Sequence, residues 1–449
     1  MSAIIHNSFR KFNADNFIDF IDGTPKVLYL GIGKNDPWNG NSVGEYVDGT
    51  YSDVAIPVPI DTTAAPFLHY ADLLAVKRIT SPSVSHVLKR VDWTTGTVYV
   101  EYNHNTDDMI DQNFFVMTDQ YNVYKCISNY GGVNSTAKPT GQGTGIITTA
   151  DNYRWKFMFE IQQADVLTFV TPDWIPVNSP GTDNQQKQKD VEANAVDGAV
   201  EHITVISGGT GYIWNVGTSA ALGTTNTIQL ASGSGNHLAD DYYNNMTVYI
   251  SDGTGSGQIR TISDYIGATQ IATVSVNWTT VPDGTSVYQV GPAITLTGST
   301  GSIVSSARVS SVISGVIKTV SMFSVGSNNR SATATVSSGG GTAAELLPMI
   351  SPVGGHGKNA VSELGGAYVM LNTRLIGFEE DIVPIDDDFR KVHLIASPML
   401  VDGVTPASAT VIVGSGLQVG SGDMIYSEFR APINRAADST EDIKLVVEF

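Results

Sequence analysis

The run Gly354-Gly355-His356-Gly357-Lys358-Asn359 follows the apolar LLPMI, where a strand feeding a phosphate-binding loop would end. Such a loop needs G-x-x-x-x-G-K-[ST], so that backbone N–H groups cradle phosphate and a hydroxyl holds magnesium. Here Pro352 stands at the first glycine and Asn359 at the hydroxyl, so the reading is a structural glycine turn. Asp386, Asp387 and Asp388 form the densest carboxylate run. A hard cation needs oxygens converging from spaced positions, whereas three consecutive aspartates on an extended chain point alternately to opposite faces. A solvated turn before the strand FRKVHLI follows. The histidines His6, His69, His86, His104, His202, His237, His356 and His393 are scattered singly, with no H-x-H or H-x-x-x-H. The letters G-x-S-x-G occur at GNSVG (40–44), behind the turn segment GKNDPW and not at the end of an apolar strand, so no nucleophile elbow is expected. Cys126 alternates with Tyr124 and Asn122 in NVYKCI and reads as a packed β residue. Neither a catalytic set nor a cofactor or metal site is expected.

Three aromatic-plus-proline segments remain: GKNDPWNG with Trp38, TPDWIPVNSP with Trp174, and VNWTTVPDG with Trp278. A tryptophan pinned beside proline suits a rigid protein contact or a sugar platform, and equally a satellite core residue under a loop. Trp38, Trp174, Trp278 and Tyr288 are the candidate protein-contact residues.

The elements that would position these residues are mostly strands. KVLYLGI, TVYVEY, FFVMT, NVYKCI, YRWKFMFEI, RKVHLI, ATVIV and IKLVVEF alternate or run apolar in short pieces. FNADNFIDFI (12–21) predicts a helix with Phe17, Phe20 and Ile21 on one face and Asn13 as N-cap. DNQQKQKDVEANA (183–195) is a polar, helix-permissive connector.

Charge marks the divisions. Residues 205–345 carry four basic residues (Arg260, Arg308, Lys318, Arg330), six acidic ones, and 20 of the 45 glycines. A charge-poor, Gly/Ser/Thr-rich stretch with alternating TVYI, TVSV, ITLT and TATV reads as an inserted β-structure, and the competing reading is a flexible linker. Inside it, Val200, Ile203, Val205, Ser207, Gly209 and Thr210 match Ile317, Val320, Met322, Ser324, Gly326 and Ser327, a weak two-copy repeat. Between the copies, residues 222–290 read as a compact module of four to six strands. The expectation is a mainly β protein. A β-sandwich core with a few peripheral helices is built from 1–200 and 346–449, with a small β domain inserted at 201–345.

The whole chain has 449 residues, 41% apolar and 15% charged, a composition too apolar and too weakly charged for disorder. Its net charge of −19 repels phosphate backbones and excludes a general nucleic-acid binder. One cysteine allows neither an intramolecular disulfide nor a multi-cysteine zinc site. No apolar run approaches the length of a membrane span, and MSAIIHNSFRKFNADNF lacks the apolar stretch of a secretory signal. A soluble protein of a reducing compartment, without membrane insertion, is the expectation.

Taken together, these segments resemble the baseplate wedge subunit of contractile-tailed bacteriophages, the gene-eight type. FRKFNADNFIDFI followed by VLYLGIGKNDPW is similar to that family's opening helix and first strand, and NVYKCI, DNYRWKFMFEI and FRKVHLIASPML to later strands. GDMIYSEFRAPINRAADSTEDIKLVVEF is similar over its length to the family's C-terminus. The resemblance covers about residues 1–180 and 346–449, while 222–290 resembles a small β module of tailed-phage structural proteins. It implies a non-enzymatic part of the virion tail baseplate, assembled in the host bacterial cytoplasm. There it would bridge other wedge proteins, self-associate as a dimer, and take part in tail contraction. The competing reading is a receptor- or glycan-binding tail component, and a third, a cellular adhesin, is disfavoured by the missing export signal.

Overall fold

The computed structural model describes residues 7–22, 27–34, 70, 73–106, 109–177, 185–219, 223–231, 237–299, 302, 305–374, 389–400, 402–408, 411–413, 419–433 and 442–449. The protein is mainly β, with antiparallel sheets and few helices. The chain divides into two units. Met1–Arg90, Ile161–Ser179 and Ala360–Phe449 make the first, and Val91–Glu160 and Pro180–Asn359 the second.

In the first unit β1 (Leu28–Lys34), β2 (Leu73–Arg78), β22 (Phe389–Leu400), β23 (Val411–Val413) and β24 (Val419–Ile433) form a sheet in the order β23-β2-β1-β22-β24. A second sheet takes β3 (Val84–Lys89), β8 (Trp174–Val177), β21 (Tyr368–Arg374) and β25 (Asp442–Glu448) in the order β25-β21-β3-β8. Alternate side chains of a strand share a face. Leu28, Leu30 and Ile32 of β1 and Val392, Leu394 and Ala396 of β22 therefore meet Val369 and Leu371 of β21 and Leu445 of β25 in one core. The other face of the first sheet buries Tyr29, Val76 and Ile395 in a separate core. Two sheets facing across a shared core make this unit a β-sandwich.

Helix α1 (Asn7–Asp22) lays Ala14, Phe17, Ile18 and Ile21 on that core, and its Phe17 ring lies 5.3 Å from Phe449. Because the helix begins at Asn7, Asn13 is an interior residue and not the expected N-cap. Short helices α2 (Gln163–Phe169) and α4 (Ala360–Leu364) complete the unit.

The second unit begins with β4 (Phe115–Met117), β5 (Asn122–Ser128), β6 (Ile146–Thr148) and β7 (Arg154–Glu160), ordered β4-β5-β7-β6. Helix α3 (Gln186–Ala193) supplies Val191 to its core of Tyr99, Tyr124, Trp155 and Phe157.

An internal duplication follows. Strands β9 (Val200–Thr210), β16 (Ile294–Gly298) and β17 (Ser306–Ile313) recur as β18 (Val316–Ser324), β19 (Ala332–Val336) and β20 (Thr342–Ile350). Each strand of one copy pairs with a strand of the other: β9 with β20, β16 with β19, β17 with β18. Leu296 faces Ala334 at the midpoint of the β16–β19 pair, as pseudo-twofold symmetry requires. The sequence keeps the same offset in Thr295/Thr333, Thr297/Thr335, Ser299/Ser337 and Gly301/Gly339. Gly209 and Gly326, matched in the repeat, both sit in the left-handed region, at φ 59° and 63°.

The link from β18 to β19 is the short loop 325–331, whereas the link from β9 to β16 holds a whole module. That module is β10 (Asn215–Thr218), β11 (Thr227–Gln229), β12 (Thr247–Asp252), β13 (Ile259–Ile266), β14 (Ile271–Val274) and β15 (Val287–Gly291), ordered β10-β15-β12-β13-β14-β11. Side chains tie the end of β11 to β10 and to its neighbour β15. The Ser219 hydroxyl donates to the Gln229 carbonyl at 3.1 Å, and the Ala231 N–H donates to the Tyr288 hydroxyl at 2.6 Å. Asn215 faces Val290, so the chain enters and leaves the module side by side. The strands thus run from 215 to 291, slightly beyond the expected 222–290.

The units also divide the chain differently from the expected 1–200, 201–345 and 346–449. Residues 91–160 belong with the Gly/Ser/Thr-rich stretch. Their composition is ordinary, and what joins them to it is long-range contact, such as the Thr204 hydroxyl donating to the Glu101 carboxylate at 2.6 Å.

Candidate functional site

The glycine run 354–359 packs against α3 and the turn after it. A Cβ at Gly357 would lie 2.3 Å from Val191 Cγ1, and one at Gly355 2.3 Å from the Val196 nitrogen. Lys358, the residue that would reach phosphate in a P-loop, is exposed, and its Nζ lies 3.4 Å from the Glu192 carbonyl near the end of α3. A cation suits a helix C-terminus. His356 is buried with its ring 4.7 Å from that of Tyr102, edge to face. Burial, with Lys125 and Lys156 nearby, pushes its pKa well down, so the imidazole is neutral. The run is a buttress, and its histidine is a packing residue.

Those two lysines face each other across β5 and β7 and are themselves buried. Lys125 Nζ lies 4.0 Å from the centre of the Tyr102 ring, and Lys156 Nζ donates to the Thr144 carbonyl at 2.6 Å. Sequence reading passed over both, although a lysine inside each of two apolar strands was a visible signal. Cys126, next to Lys125 in β5 and opposite Trp155, is fully buried, and burial raises its pKa well above the ordinary value. It is an inert core thiol.

The four aromatic candidates do not converge. Tyr288 is fully buried and Trp278 is 5% exposed, both inside the module core with Tyr243 and Tyr265. The expectation that these two offer a surface contact is corrected, because the module needs their area to fill its interior. Trp174 is half-buried at the edge of the sandwich, 4.8 Å from the Tyr368 ring. Trp38, Asp386, Asp387, Asp388, His6 and His69 lie outside the described residues.

A cavity of about 420 Å³ opens in the second unit, walled by Val98, Tyr99, Val100, Glu101, Met109 and Asn129 among others. That is the lower range of small-molecule or side-chain sites. Glu101 lies in the segment between β3 and β4 and touches β9 through Thr204. Its carboxylate accepts from the Thr204 hydroxyl at 2.6 Å and the Asn129 N–H at 3.2 Å. His202 Nε2 lies 4.0 Å away, while Arg154 Nη1 approaches His202 Nδ1 to 3.3 Å. An arginine donor makes Nδ1 the acceptor, so the proton is on Nε2. Burial first, then the Arg154 charge, push the His202 pKa down to about 3.

One carboxylate beside a neutral histidine does not supply the two carboxyl groups of a glycoside hydrolase. Among the described residues no group of three or more His, Cys, Asp or Glu is placed to hold a metal ion. Nor is any described helix long and apolar enough to cross a membrane. Compared with known proteins, the chain matches no family model and no curated protein.

Proposed function

We propose that this chain is a non-enzymatic structural component of a contractile phage tail baseplate, a wedge part that bridges other wedge proteins during assembly and contraction. Within the virion it would self-associate and join its neighbours after folding in the host bacterial cytoplasm. One observation carries the reading: the segments that resemble the wedge family fall on strands that adjoin. VLYLGIG, FRKVHLIASPML and GDMIYSEFRAPI lie on β1, β22 and β24, consecutive in one sheet, and NVYKCI and RWKFMFE are the paired β5 and β7. The two ends of the resemblance also meet, since Arg10 of α1 donates to the Phe449 carbonyl at 2.6 Å and pairs with Glu448. Adjacency of segments remote in sequence supports the reading that they belong to one folded core, as the resemblance implies. The glycan-binding alternative drew on the aromatic residues of the module, and Tyr243, Tyr265, Trp278 and Tyr288 are spent on its core.

The test is to raise an antibody against the purified chain and locate it on virions of the phage whose tail genes adjoin its own. Labelling at the tail end, with cross-links to wedge proteins, is the expected result. Labelling confined to fibre tips, or none on virions, overturns the proposal.

A further inference from the structure

We propose that the cavity beside Glu101 is a socket for an arginine side chain presented by a partner protein. This does not depend on the baseplate reading.

The argument starts from charge. The Glu101 side chain is 16% exposed, and a largely covered carboxylate is commonly paired with a cation. Among the described residues its one ionic neighbour is His202, at 4.0 Å, and that imidazole is held neutral with Arg154 on its far nitrogen. The two hydrogen bonds from Thr204 and Asn129 orient the carboxylate without neutralising it. Glu101 nevertheless walls a cavity large enough for a side chain, with Val98, Val100 and Met109 as apolar companions. Apolar walls from Val98, Val100 and Met109, polar ones from Asn103, Thr106 and Gln112, and one fixed carboxylate fit an aliphatic stem with a cationic head that donates several hydrogen bonds. Guanidinium is more weakly hydrated than ammonium and pairs with carboxylate at less desolvation cost, which selects arginine over lysine.

The rim indicates that the arginine arrives on a protein. Val98 is 45% exposed, and on the turn that carries Gly131 and Gly132, Tyr130 and Val133 are 44% and 40% exposed. A free amine would leave that apolar surface in water, whereas a loop delivering an arginine would cover it. The chain's net charge of −19 favours a partner with a basic face.

The experiment titrates the full chain, by saturation-transfer NMR, with acetyl-Leu-Arg-Leu-methylamide, its citrulline counterpart and agmatine. Citrulline keeps the shape of arginine and removes the charge. The arginine peptide should bind about tenfold more tightly than the citrulline peptide, the ratio expected for one charge-assisted pair. Glu101→Gln should abolish that ratio, and Val98→Trp, which plugs the mouth from an exposed position, should weaken the arginine peptide. Equal binding of the two peptides, or a ratio that survives Glu101→Gln, overturns the socket. Agmatine binding as tightly as the arginine peptide overturns the protein partner. If Glu101→Gln does not fold, the wild-type ratio and Val98→Trp decide between these outcomes.

Discussion

His202 illustrates how a single side chain ties folding to pH. Its pKa is about 3 in the folded protein against an ordinary 6.5, because burial and then Arg154 oppose a second positive charge. Between those values the unfolded chain binds a proton that the folded one refuses, so stability is full above pH 6.5 and declines as pH falls toward 3. At pH 5 this one group should cost about 2 kcal/mol relative to neutrality. His86, His104 and His356 are shifted in the same direction, chiefly by burial, and add to the decline. Urea unfolding at pH 7.5 and pH 5 should show the loss, and His202→Gln should remove about that share of it. An unchanged pH slope in the variant would mean that His202 is not the source. The residue was in plain view in the sequence, but a lone histidine in VEHITV carries no mark of its partners. Glu101 and Arg154 come to it from about 100 and 50 positions away in sequence.

Strands are the scale at which composition and alternation were most informative. LYLGI, KVHLIA and IKLVVE are short apolar or alternating runs, and all three form strands of the sandwich, since strand formation needs only local chain geometry. Which faces are buried is another matter: residues 28–33 of β1 and 391–396 of β22 are covered on both faces, and so is β5. All seven of its residues are buried, Lys125 included, because both faces of its sheet are covered, and alternation says nothing there. Pairing also settles which pieces can stand alone. β22 has β1 as its neighbour on the side away from β24, and β21 has β3 on the side away from β25. A fragment of residues 346–449 lacks β1 and β3 and leaves apolar faces uncovered, so it should be unfolded or aggregated by circular dichroism and gel filtration. A monomeric fragment that melts cooperatively would show that these strands hold together without their partners.

The whole chain crosses between its two units four times, at residues 90, 160, 179 and 359, and places a module inside one copy of a duplicated motif. Copy two joins its equivalent strands by residues 325–331 alone, which shows how short the link can be. Replacing 213–292 with a turn of that length should therefore leave the remainder folded, since loop closure grows costlier only slowly with length. The Arg308 contacts to Gln289 and the Tyr249 ring would be lost. Calorimetry should show one transition disappear and the other persist within a few degrees; collapse of the whole protein would mean that the module is woven into the parent. The sequence by itself determined the mainly β class, the weak repeat and the existence of a module, because alternation, glycine placement and charge density are properties of neighbouring residues. Only the tertiary structure decided that the repeat pairs with itself, that residues 91–160 join it, and that Trp278 and Tyr288 face inward. It also decided that Glu101 meets a neutral histidine beside a cavity. Each of those depends on contacts between residues far apart in the chain, where the free energy of burial chooses among pairings that local pattern leaves equal.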